Sequence, residues 1–311
     1  MEYTVKNWFK ILGIQLLLGV AAFFVFRFFP AEASQVVLKV QEEPTEVEEK
    51  IVLPVERIIN YRLIASADTS EWLSNLKEGD TLSALMVINR TDAWRLKHMD
   101  TLVFPDTIGN DIALFSPFPK SIDELKQIQK IVFVSHYSQA FAVYENGERI
   151  KWGPVSLGSK HKPTPTGLFS VNWKSKRTIS TINSSWILEW YCNIDNYEGI
   201  GMHQYELPGY PASHGCVRMY RDDANWLYHW ADQWTVEDGQ IATHGTPIVI
   251  FGEYPHGERK PWLQMEKNNA AVKISSEQLM EVMQEYLPLV MERQAKRDSV
   301  EMNKNRSDQI Q

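Results

Sequence analysis

Residues 131–152 read Ile131-Val-Phe-Val-Ser-His-Tyr-Ser-Gln139-Ala-Phe-Ala-Val-Tyr144-Glu-Asn146-Gly147-Glu-Arg-Ile-Lys-Trp152. Two apolar runs rich in β-branched and aromatic residues, 131–134 and 139–144, lead into Asn146-Gly147. That dipeptide tolerates φ > 0 at both central turn positions and is the strongest short-range hairpin signal. Outward from it, similar runs predict strands at 152–157, 168–173, 186–194 and 246–251. Between them Ala224, Leu227, Tyr228 and Ala231 recur at helical spacing, with Asp222 or Asp223 as the expected N-cap. Many strands and one clear helix predict a mainly β domain, a sandwich or barrel, over residues 129–253.

The flanks are less regular. Residues 56–120 mix both signals as a small α/β region: Gly79-Asp80-Thr81-Leu82 opens a helix through Asn89, and 101–105 reads as a short strand. Together these pieces faintly resemble a LysM module, but the spacing from Leu82 to Asn89 is shorter than that family uses, so a domain-specific helical cap is the expectation. In 271–311, Ser275 and Gln278 form a capping box. Leu279, Val282, Met283, Tyr286 and Leu287 then share one face, expected to pack on the domain. Pro288 should break or kink this helix, and the polar tail after Arg297 is expected to be disordered.

At the other end, residues 11–26 carry no charge. As a helix they would reach roughly 24 Å, short of a ~30 Å hydrocarbon core unless Arg27 snorkels and Phe28 and Phe29 extend the span. Two readings fit residues 1–33. One is a single-pass membrane anchor; the other is a signal peptide with Lys6 and Lys10 as its basic region and Ala31-Glu32-Ala33 as its cleavage site. Both send the remainder outward by the positive-inside rule, making the cytoplasmic membrane a partner. Residues 34–55, with five Glu between 42 and 49, read as an acidic, self-repelling linker.

A net charge of −7 leaves no basic footprint, which argues against a nucleic-acid partner. Eleven Trp are generous, and packing accounts for them more readily than carbohydrate stacking does. With only Cys192 and Cys216, no disulfide framework exists. A bridge between the two would silence either sulfur as a nucleophile; Cys192, within the expected 186–194 strand, reads as a packed core residue.

One stretch stands apart: Gly201-Met-His203-Gln204-Tyr-Glu-Leu-Pro-Gly-Tyr-Pro-Ala-Ser213-His214-Gly215-Cys216-Val-Arg218. A thiol becomes a nucleophile when a nearby imidazole takes its proton. His214 is two residues away and His203 can approach from an earlier strand. The amides of Gly215 and Cys216 could stabilise an oxyanion, and the planar fork of Arg218 suits a carboxylate. Zinc is the competing use of two His and one Cys; a structural site would lack a fourth ligand nearby.

These residues resemble the YkuD family of L,D-transpeptidases. The likeness covers about 120 residues: Pro163-Thr164-Pro165-Thr166-Gly167, His203, Ser213-His214-Gly215-Cys216-Val217-Arg218 and Gly245-Thr246-Pro247 stand in the family's order. It implies Cys216 as nucleophile, His203 as general base oriented by the Gln204 carbonyl, and an oxyanion hole at Gly215 and Cys216 helped by His214. Ser213 would order the loop, and Arg218 would meet a stem-peptide carboxylate. Donor and acceptor peptidoglycan stems would be the partners, with no cofactor and no metal, and carbapenems would acylate Cys216. Only nine residues separate His203 from Ser213, a compact variant that leaves lid and acceptor specificity open. Water in place of the acceptor would make the same site a hydrolase, an L,D-carboxypeptidase or endopeptidase. A non-catalytic wall-binding protein is the alternative of a different class.

Overall fold

Asn146 and Gly147 have φ of 49° and 80°, the paired positive angles that the hairpin requires and that Gly adopts without steric cost. In this computed structural model the described residues are 58–65, 73, 79–108 and 111–308. The apolar run at 11–26, the cleavage motif and the acidic linker lie outside them. Among the described residues no helix is long and apolar enough to cross a membrane.

In chain order, β1 (Tyr61–Ala65) precedes α1 (Asp80–Asn89), α2 (Ala93–Leu96) and β2 (Thr101–Pro105). Then come β3 (Ile131–Ser135), β4 (Ala140–Glu145), β5 (Glu148–Ser156), β6 (Gly167–Ser170), β7 (Lys174–Ile179), β8 (Ile187–Asp195), β9 (Ile200–Gln204) and β10 (Val217–Met219). The chain closes with α3 (Arg221–Trp230), β11 (Thr235–Glu237), β12 (Gln240–Thr243), β13 (Pro247–Phe251), α4 (Ser276–Met283) and α5 (Leu287–Asp308). Nine strands make one curled mixed sheet in the order β6-β13-β3-β4-β5-β10-β9-β8-β7. The mainly β reading therefore holds. β9–β10 and β13–β3 run parallel, and the first of these pairs carries the site.

One apolar core joins the flanks to the sheet. Ala84, Val87 and Ile88 of α1 share it with Phe133, Tyr144, Trp262 and Leu279. Phe133 and Tyr144 meet edge to face at 5.7 Å, a geometry worth about 0.5–1.5 kcal/mol beyond area burial. β1 pairs with β2 antiparallel, and with α1 and α2 they make an N-terminal unit seated on that core.

Two local expectations change. The N-cap of α3 is Tyr220, with no side-chain cap bond. Asp223 instead turns inward and pairs with Lys151 at 2.8 Å, because a buried carboxylate needs a cation more than a helix end needs a cap. The capping box at Ser275 and Gln278 forms, but the stretch after Arg297, expected to be disordered, is helical as far as Asp308. The break expected at Pro288 is there: α4 stops at Met283 and α5 starts at Leu287, with Pro288 in its first turn, where a missing N–H costs nothing. Helix α5 is tied down by Gln294 to the Gln129 amide at 2.8 Å and by Arg297 to the His244 carbonyl at 2.6 Å.

Candidate active site

The parallel register pairs Val217 with Met202 and Arg218 with His203. Continued one step, it sets Cys216 beside Gly201. Side chains alternate between faces, so Met202, Val217 and Met219 enter the buried core. His203, Arg218 and Cys216 share the opposite face, with the thiol and imidazole on a diagonal across adjacent strands. Gly201 is required here: a Cβ on it would lie 2.5 Å from the Tyr191 ring. That ring fills the gap and stacks on His203 with centroids 6.0 Å apart. The Tyr191 hydroxyl donates to the Gly199 carbonyl at 3.0 Å, and the Cys216 thiol points to the same oxygen at 3.9 Å.

His203 Nδ1 lies 2.8 Å from the Gln204 carbonyl. A carbonyl only accepts, so Nδ1 carries the proton and Nε2 keeps its lone pair. Burial holds the imidazole neutral, lowering its pKa to about 4; the Gln204 bond opposes this and Arg218 adds to it. Burial pushes the Cys216 thiol above its ordinary range, against hydrogen bonding from the Gly201 backbone and the charge of Arg218. The resting pair is thus a neutral thiol and a neutral imidazole, with no ion pair formed before substrate arrives. Tyr191 is likewise raised by burial and remains a protonated donor.

This has a consequence for stability. Between pH 6.5 and about 4 the unfolded chain binds a proton at position 203 that the folded chain refuses. The stabilisation from a neutral His203 is therefore complete above pH 6.5 and is lost as pH falls towards 4. His203→Gln should lose about 2–3 kcal/mol less than the parent between pH 7 and pH 4.5 in urea unfolding. Equal losses in the two proteins would contradict a neutral buried imidazole.

The Cys216 loop is tied by Ser213, whose hydroxyl accepts from the Gly215 amide at 3.1 Å and donates to the Cys216 carbonyl at 2.5 Å. The Gly215 amide, expected at an oxyanion, is thus engaged with Ser213. Gly215 has φ of +114°, which breaks simple alternation and leaves His214 exposed against Trp186, ring centroids 5.2 Å apart. The short connection from β9 to the Cys216 loop is braced by the N-terminal unit. Asp92 accepts from the Leu207 amide at 2.7 Å, Thr91 donates to the Leu207 carbonyl at 3.1 Å, and Arg95 pairs with Glu206 at 2.5 Å.

Cys216, His203, His214, Ser213 and Arg218 all line one half-open cavity of about 190 Å³. Gln204 contributes its carbonyl from behind the imidazole. The β7–β8 connection supplies another wall through Thr181, Ile182 and Trp186. Tyr191, Tyr205, Trp186 and Glu198 also line it, and sequence reasoning missed all four. Only the Trp186 stretch carried a signal, as a strand. Tyr191 is turned to the cavity by an irregularity at Trp190, whose φ is 54°, which defeats a period-two reading of β8. Cys192 is free and wholly buried in the apolar core, while Cys216 is free and half-buried at the cavity. His161, His229, His244 and His256 do not line the cavity.

A thiol and an imidazole thus lie on neighbouring parallel strands of a curled β sheet and line one cavity. Residues 129–250 match the family model of the YkuD L,D-transpeptidase catalytic domain. L,D-transpeptidase 1 of Mycobacterium tuberculosis is 32% identical over 130 residues, covering 37% of this chain and 47% of the relative. The chain thus spans about half the length of the curated relative it matches. Among solved structures, an L,D-transpeptidase from Stackebrandtia nassauensis aligns at 26% identity and a TM-score of 0.34, over 41% of this chain and 57% of that one. An L,D-transpeptidase from Xylanimonas cellulosilytica aligns at 24% identity and a TM-score of 0.35, over 45% and 66%.

Proposed function

We propose that this chain is an exported L,D-transpeptidase that cross-links peptidoglycan stems through a thioester on Cys216. The single observation carrying the reading is the His203 Nδ1 bond to Gln204, which leaves Nε2 unprotonated on a residue lining the same cavity as Cys216.

In the first step His203 Nε2 takes the thiol proton as sulfur attacks the carbonyl between a stem's diamino acid and its terminal D-amino acid. The tetrahedral oxyanion is met first by the Cys216 amide, since the Gly215 amide is donating to Ser213; such donors contribute about 3–4 kcal/mol. Imidazolium then protonates the leaving amine, and the D-amino acid departs. An acceptor amine attacks the thioester, His203 takes its proton, and the thiolate leaves. Arg218, stacked over Tyr205 at 4.6 Å, is suited to a stem carboxylate. Apolar walls from Ile182 and Trp186 favour the amine over water.

The test is incubation of the purified protein with a disaccharide-free tetrapeptide stem, followed by intact and peptide mass spectrometry. A mass gain of the stem less its terminal residue, located on Cys216, is expected. No adduct with stems of any diamino acid would end the proposal. Export through residues 1–33 is part of the same reading, and a fusion reporting periplasmic or cytoplasmic placement checks it.

A further inference from the structure

The cavity is lined by one carboxylate, Glu198, and one guanidinium, Arg218, and among the described residues neither enters an ion pair. They lie on opposite sides of the thiol along the strands. Arg218 is level with His203; Cys216 falls one step earlier, beside Gly201. Glu198 precedes β9 in the turn and is followed directly by Gly199, whose carbonyl the thiol touches at 3.9 Å. The turn is held by Asp195, which accepts from the amides of Tyr197 and Glu198 at 2.8 and 3.2 Å. Thr181 of the β7–β8 connection closes on it, since a Cβ on Gly199 would lie 3.3 Å from the Thr181 hydroxyl. A held turn thus brings Glu198 to the cavity that the sulfur lines, at a backbone position on the far side of Cys216 from Arg218.

We infer that Glu198 is the acceptor-recognition residue of this site, drawing a cationic primary amine to the thioester on the face opposite Arg218. This rests on the proposed acyl-enzyme and specifies its second half. The acceptor arrives as an ammonium and is held by the Glu198 carboxylate through charge-assisted hydrogen bonds. It gives one proton to solvent. The amine lone pair then forms the C–N bond as the C–S bond breaks, and the remaining surplus proton passes through His203 Nε2 to the departing thiolate. The products are an amide and the restored thiol. Water gains nothing from the carboxylate, so the charge also biases transfer over hydrolysis.

The experiment uses the full chain acylated by a tetrapeptide stem and resolved by two acceptors. Nα-acetyl-lysinamide presents an ammonium at neutral pH, whereas hydroxylamine is uncharged. In Glu198→Gln the ratio of kcat/KM for acetyl-lysinamide to that for hydroxylamine should fall about tenfold, the size of a lost hydrogen bond to charge. Glu198→Asp should recover part of it, and the advantage should shrink in the parent at high salt. An unchanged ratio, or equal loss with both amines, overturns the inference while leaving the acyl-enzyme standing. Absence of any adduct on the parent Cys216 removes the proposed function and this inference with it.

Discussion

The Cys216→Ala protein is expected to gain no mass from a tetrapeptide stem and to release its terminal D-amino acid about 10⁴–10⁶-fold more slowly than the parent. Removing a covalent nucleophile has effects of this size because the remaining donors and binding groups retain only part of the rate enhancement. The cavity has no second sulfur to substitute, since Cys192 is wholly buried in the apolar core on the other face. The fold should survive: Cys216 is half-buried and its sulfur makes one long contact, to Gly199 at 3.9 Å. A melting temperature within about 3 °C of the parent, a shift matching a change under roughly 1 kcal/mol, would separate lost chemistry from lost structure. Turnover retained in this variant would move the reaction to another residue.

The second large effect concerns His203. Its replacement by Gln should slow acylation by about 10²–10⁴, the usual contribution of a positioned general base. The pH dependence makes the test specific. In the parent, the base is available until the imidazole protonates near pH 4, while burial keeps the thiol protonated beyond its ordinary range. The acylation rate should therefore stay flat from about pH 5 to about pH 8, with its acid limb well below the ordinary histidine value of about 6.5. In His203→Gln the plateau disappears and the residual rate climbs about tenfold per pH unit across the same range, because the thiolate must then form unaided. An acid limb near pH 6.5 in the parent would mean that the imidazole is solvated during reaction, against its burial here.

Much of the frame was legible because the signals that carry it are local. The Asn146-Gly147 turn needs only two residues that accept positive φ, and both adopt it. The α1 boundaries and the capping box at Ser275 follow from neighbours within one turn. The reading of Gln204 through its main-chain oxygen came from family resemblance, and the carbonyl does lie against Nδ1. Where local reasoning failed, a distant partner had intervened. Asp223 looks like a cap until Lys151 from β5 is beside it. The polar tail looks unstructured until Asp232 and His244 meet Arg297 along α5.

By itself, the sequence determined the strand-rich texture, the hairpin and the presence of one thiol within reach of imidazoles, because propensity, turn chemistry and residue type act over a few positions. Tertiary structure alone decided that Tyr191 fills the space above Gly201, that the N-terminal unit braces Leu207, and that Glu198 and Arg218 line one cavity with the sulfur. Those facts depend on strand register and on the irregularity at Trp190. Register is set by burial across the whole sheet, so no short window of residues contains it.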